Sequence, residues 1–150
     1  MFRTIVVPVD GSPPSNAGVD LALRIARAEG GRVVFCSVRE PLPATGVGDV
    51  PPELEHAHAE EVEAWWCERL LREAAERAER AGIPHEEMRP AAGDVVEAIL
   101  AAARDTKGDL IVMGSHGRGG LERALLGSKT EGVLRRAQVP VCVAPAVRSS

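Results

Sequence analysis

The tightest constraint on this chain lies between Asp109 and Pro145. An apolar run, Leu110, Ile111, Val112 and Met113, passes into a loop holding Gly114, Gly117, Gly119 and Gly120, which leads to Gly127, Ser128, Lys129 and Thr130. A short run of this kind, without polar alternation, suits a strand covered on both faces, as in a parallel sheet flanked by helices. The glycines take positive φ and let a ligand approach bare backbone. Gly127, Ser128 and Thr130 then open a helix expected to run to Ala137, where unpaired N–H groups and the helix dipole favour phosphate. Strand, glycine loop and helix start, in that order, describe a loop able to wrap an anion.

Two phosphate signatures are excluded. Walker A needs Lys directly after its last Gly, whereas Ser128 separates Gly127 from Lys129. The dinucleotide fingerprint begins at Gly117 and Gly119 but meets Glu122 where its third Gly belongs.

The rest of the chain repeats the strand–helix alternation. Thr4 to Val9 reads as a central strand, with Pro8 near its carboxyl end because proline gives the ladder no donor, and Asp10 at its tip. Ser12 caps a helix with Pro13 at its first position, and Gly30 and Gly31 end it. Arg32 to Val38 is a second strand, completing a right-handed parallel crossover. Pro41 to Pro52 reads as a loop, and Glu53 to Ala81 as a long helix with Val62, Trp66, Leu70 and Ala74 as its apolar stripe. Of Trp65 and Trp66, one is expected to pack and the other to sit half exposed. His56 and His58, at alternate helix positions, point apart and share no metal. His85 to Ala91 is a third strand, at an edge that tolerates Pro90. Asp94 and Glu97 form a capping box for a helix to about Thr106, and Val141 to Ala144 is a fifth strand. The pattern is a single doubly wound α/β domain over residues 1–150, with five strands and four helices.

At 150 residues the chain buries an ordinary core without disulfides or metal. A net charge of −4 argues against a general nucleic-acid binder. Cys36, Cys67 and Cys142 are odd in number and lack CxxC spacing, and no apolar run approaches the roughly 18 residues that span a bilayer. No nucleic-acid partner and no membrane are expected. A strand begins the chain with no signal peptide ahead of it, so the expected location is the cytoplasm.

Gly114, two residues, Gly117, nine residues, then Gly127 and Ser128, directly after a strand, resembles the nucleotide-binding motif of the universal stress protein family, in the branch that binds ATP. Ile5 to Ser12 (IVVPVDGS) and Val139 to Pro145 (VPVCVAP) are similar to the same family. The resemblance implies an adenine-nucleotide α-hydrolase-like sheet of strand order 3-2-1-4-5. Winding would then reverse between strands one and four, where such sheets bind ligands. It further implies ATP carrying Mg or Mn on its phosphates. Backbone N–H groups of Gly114, Gly117, Gly127 and Ser128 and the hydroxyls of Ser128 and Thr130 would serve the ribose and phosphates. Pro8 and Asp10 would lie on the adenosine side, Val38 at adenine, and Met113 against the nucleotide. Lys129 departs from the pattern, which commonly has an apolar residue there; it either contacts phosphate or points to solvent. His116, Arg118, Arg123 and Lys129 gather positive charge around the motif. Val139, Val141 and Val143 alternate along the last strand, an edge able to pair with its copy, and the resemblance implies the same symmetric homodimer.

No nucleophile stands beside a base, and no paired carboxylates or His–carboxylate set are recognisable. Slow ATP hydrolysis or self-phosphorylation at Ser128 or Thr130 is the most chemistry expected. The reading is a nucleotide-dependent sensor or regulator in a stress response, with unknown protein partners. Its alternative is a nucleotide-independent homodimeric interaction module. An enzyme of the adenine-nucleotide α-hydrolase group would need acceptor-substrate residues that the sequence does not display.

Overall fold

A computed structural model describes residues 1–42, 50–116 and 126–145. The strands are β1 (Thr4–Pro8), β2 (Arg32–Cys36), β3 (His85–Glu87), β4 (Leu110–Gly114) and β5 (Val141–Ala144), and the helices α1 (Pro13–Glu29), α2 (Ala59–Arg80), α3 (Val95–Asp105) and α4 (Ser128–Arg136). They form one parallel sheet of order β3-β2-β1-β4-β5. The winding therefore reverses between β1 and β4, as the resemblance implied.

Successive side chains of a strand point to opposite faces, and the two layers of core follow from that. Ile5, Val7, Val33, Phe35 and Val112 pack with Val19 and Leu23 of α1 and Leu70 and Leu71 of α2. Val6, Ile111 and Met113 pack on the other face with Ile99 and Leu100 of α3 and Val133 of α4. This double burial explains the unbroken apolar runs of the central strands.

Local signals set most boundaries. Ser12 caps α1 by accepting the Ser15 N–H at 3.3 Å, and Gly30 closes it in the left-handed region at φ 70°. Trp65 and Trp66 are both half-buried, and Trp66 packs against the α1–α2 layer.

Four expectations need correction. The long helix starts at Ala59 rather than Glu53: Pro52–Leu54 forms a single 3-10 turn, and His58 is extended (φ −66°, ψ 152°), so His56 lies outside the helix. β2 stops at Cys36 rather than Val38. The third strand ends at Glu87, not Ala91, although Met88 N–H still bonds Phe35 O and Ala91 meets Val38 in an isolated bridge. Pro90, which has no N–H, lies within that gap. The capping box is half made: Asp94 Oδ1 accepts the Glu97 N–H at 2.8 Å, but the Glu97 carboxylate turns to Arg104 and Arg136. These guanidiniums hold the Glu97 carboxyl below its usual range.

Candidate functional site

Where β1 and β4 end side by side, the chain leaves a cleft of about 530 Å³, its open mouth included. Pro8, Val9 and Asp10 come from the end of β1, Ser37, Val38 and Glu40 from the segment after β2, and Met113, Gly114 and His116 from the end of β4. Val95 and Ile99 of α3, Lys129 and Thr130 of α4 and Ser15 of α1 complete the wall. The wall therefore combines apolar side chains (Val38, Val95, Ile99, Met113) with polar ones and the Lys129 ammonium.

Hydroxyls brace the strand ends, where backbone groups run out of ladder partners. Ser37 Oγ donates to Val9 O at 2.9 Å, and Thr130 Oγ donates to Gly114 O at 2.9 Å. Asp10 N–H donates to Ser15 Oγ at 3.1 Å, while Asp10 Oδ1 accepts from the Ser12 N–H at 2.9 Å and the Ser12 hydroxyl at 2.5 Å. Asp10 thus braces the turn into α1 and also lines the cleft. Gly114 is required by packing: a Cβ there would stand 2.4 Å from Pro14 O, so only glycine lets α1 begin so close to β4.

At the start of α4 the cap is Gly127, extended at φ −61° and ψ 154°, and Ser128 is the exposed first helical residue. The Gly127 N–H, assigned to a ligand by the sequence reading, is spent on Ser115 O at 2.8 Å. The first bond within the helix runs from Glu131 N–H to Gly127 O at 2.9 Å. The N–H groups of Ser128, Lys129 and Thr130 therefore have no acceptor inside the helix. Gly127 and Ser128 themselves are not part of the cleft wall. Lys129 is half-buried and ion-paired with the Glu40 carboxylate, so in this structure it is not simply solvated.

The structure thus brings Pro8, Asp10, Val38, Met113, Gly114, Lys129 and Thr130 to one cleft. Gly117, Arg118 and Arg123 lie outside the described residues. The sequence reading missed Ser15, Ser37, Glu40, Val95 and Ile99. A polar residue at a strand end was a legible signal for Ser37; the Glu40–Lys129 pair, 89 positions apart, carried none.

Cys36, opposite Pro8 in the ladder, is buried, and burial pushes its thiol up to about 12. It is a neutral packing group rather than a nucleophile. Among the described residues no group of three or more His, Cys, Asp or Glu side chains could hold a metal ion, and no helix is long and apolar enough to cross a membrane. β5 is the last strand of the sheet, with Val141, Cys142 and Val143 half-buried. Val139 precedes the strand instead of lying in it, and packs with Val141 against the α3–α4 layer.

Comparison with known proteins gives a consistent likeness. The model of the universal stress protein family matches residues 1–145. A universal stress protein of Thermus aquaticus is 35% identical over 141 residues, covering 94% of this chain and 97% of that protein. A universal stress protein solved in complex with cAMP is 32% identical, with 99% of each chain covered and a TM-score of 0.67. A family member from Burkholderia pseudomallei is 30% identical, with 95% and 96% covered and a TM-score of 0.71.

Proposed function

The chain belongs to the universal stress protein family, and from that premise we propose that it binds ATP in the cleft at the sheet's reversal and acts as a nucleotide-dependent regulator of a stress response. The observation that carries this reading is the presence, in one cleft, of apolar wall residues together with residues from the first turn of α4. Val38, Met113, Val95 and Ile99 would offer surface to a flat base, and the amides of Lys129 and Thr130 in the wall, with that of Ser128 next to them in sequence, would offer donors to phosphate oxygens. That a relative was solved with cAMP supports an adenine nucleotide in particular.

The residues present fit such a ligand. Asp10 and Pro8, both in the cleft wall, would hold the ribose, with the backbone of Gly114 beside it; Gly117, which the resemblance adds to this set, lies outside the described residues. The exposed Ser128 hydroxyl would reach a phosphate oxygen. No three-ligand group is available among the described residues, so Mg or Mn would be carried by the phosphates with few protein ligands, as Mg commonly is. Bound ATP supplies charge and a phosphoryl group. The chain's own residues would bind and orient it, and turnover is taken to be slow at most, near or below the low end of enzyme rates.

Melting curves test the reading. ATP with magnesium at a hundred times Kd should add about 2.7 kcal/mol of stability, while GTP should add less, because guanine presents a different hydrogen-bonding edge from adenine. An equal shift with GTP and ATP would contradict adenine recognition.

A homodimer through β5 belongs to the same proposal and is favoured by that strand's open edge. Val143 takes no part in either core layer. Replacing it with Lys should convert a dimer to a monomer in sedimentation velocity. Were wild type monomeric at micromolar concentration, this part would fall. A protein that dimerised and bound no nucleotide would be the interaction module instead. The reading also assigns the protein to the cytoplasm.

A further inference from the structure

Resting on the nucleotide reading above, we propose that Glu40 is the residue by which the cleft discriminates adenine nucleotides according to the charge of their phosphates. Lys129 is the second residue of α4, so its ammonium rises from the turn whose amides face an arriving phosphate. Glu40 comes from a different part of the wall, beyond the end of β2, and its carboxylate holds that ammonium. The two side chains are 35% and 21% exposed, against 75% and 50% for the Arg135–Glu131 pair further along α4. Such withdrawal from water strengthens attraction within the pair and repulsion of either member from a like charge.

A carboxylate that neutralises the lysine beside a phosphate site has a graded consequence. A ligand without phosphate leaves the pair undisturbed. A phosphate must share Lys129 with Glu40 and bear the repulsion of the carboxylate, and that conflict grows with phosphate charge, from cAMP through AMP to ATP. With Glu40 in place, the amides and helix dipole of α4 still attract phosphate, but the added gain per unit of phosphate charge is damped. A like charge set close to a ligand is a common means of rejecting competitors.

The test is calorimetric titration of wild type and Glu40→Gln with adenosine, cAMP, AMP, ATP and inorganic tripolyphosphate at one magnesium concentration. The amide keeps the shape of the side chain and removes its charge. In the variant, ATP and tripolyphosphate should bind roughly tenfold or more tightly than to wild type, AMP less so, and cAMP least. Adenosine should change by less than about twofold. In Lys129→Gln the gradient across the series should flatten. A uniform change across the series, no change, or weaker ATP binding in Glu40→Gln would overturn the proposal. If the gradient appears but ATP binds no better than tripolyphosphate, the role of Glu40 stands and the adenine reading falls. If adenosine and ATP bind both proteins with unchanged affinity, the adenine reading stands and the role of Glu40 falls. No binding to either protein removes both.

Discussion

Thr130 donates its hydroxyl to the carbonyl oxygen of Gly114 at 2.9 Å from a position only 1% exposed, tying the first turn of α4 to the last residue of β4. The bond fixes the helix N-terminus against the cleft, and it commits the Thr130 proton to the protein. Ser128, two residues earlier, is exposed. Neighbouring hydroxyls of one motif thus have different work: Thr130 braces, and Ser128 is available.

Two outcomes follow from this division. Thr130→Val keeps the volume but leaves the buried carbonyl of Gly114 without its donor, which should cost about 1–3 kcal/mol and lower Tm, whereas Thr130→Ser should recover most of the loss. After incubation with ATP and magnesium, peptide mapping should find any covalent phosphate on Ser128. Phosphate on Thr130 instead would show that the brace opens readily.

Gly114 has a packing duty whether or not a ligand is bound. An added methyl would meet Pro14 O at 2.4 Å and Pro14 C at 2.5 Å, and backbone atoms cannot swing aside as a side-chain end can. Gly114→Ala should therefore lower stability by about 1–3 kcal/mol, the usual cost of overpacking, even in protein stripped of nucleotide. Denaturant unfolding at an unchanged midpoint would show that α1 can retreat from β4 at no cost.

How far the sequence foretold this molecule depends on the range of each signal. β1 and β4 were legible because double burial writes a continuous apolar run. The limits of α1 were legible because Ser12, Pro13 and Gly30 act on their own neighbours. The start of α2 was misread because Glu53 to His58 are compatible with a helix, and only the 3-10 turn and the extended His58 separate them from it. The capping box at Asp94 was half right because Glu97 finds Arg104 about two turns along the same face of α3 and Arg136 on another helix. Of the cleft wall, the strand-tip residues Pro8 and Asp10, and Gly114, Lys129 and Thr130 from the two ends of the glycine motif, were readable from position. Glu40 was not, since nothing local reports a partner brought near only by folding.

The buried thiol of Cys36 gives a pH dependence whose sign is fixed. Its folded value, about 12, lies above the ordinary 9.0. Its contribution is therefore fully present below the unfolded value and is lost as pH rises from there toward the folded value, because only the unfolded chain gives up the proton in that window. The slope contributed is at most about 1.4 kcal/mol per pH unit. Tm of wild type should fall between about pH 9 and pH 11 more steeply than that of Cys36→Ala. Parallel curves for the two proteins would mean that the thiol ionises in the native state.

The most direct measurement is calorimetric titration of ATP with magnesium into ligand-stripped wild type and into Val38→Trp. Val38 is a half-buried wall residue, and the larger ring would fill the cleft without entering either core layer. Binding at a micromolar Kd, about −8 kcal/mol, with that heat lost in a variant whose ligand-free Tm matches wild type, is the result expected. Absence of heat from wild type at millimolar ATP, or equal binding by the filled variant, would contradict the claim that this cleft is a nucleotide site.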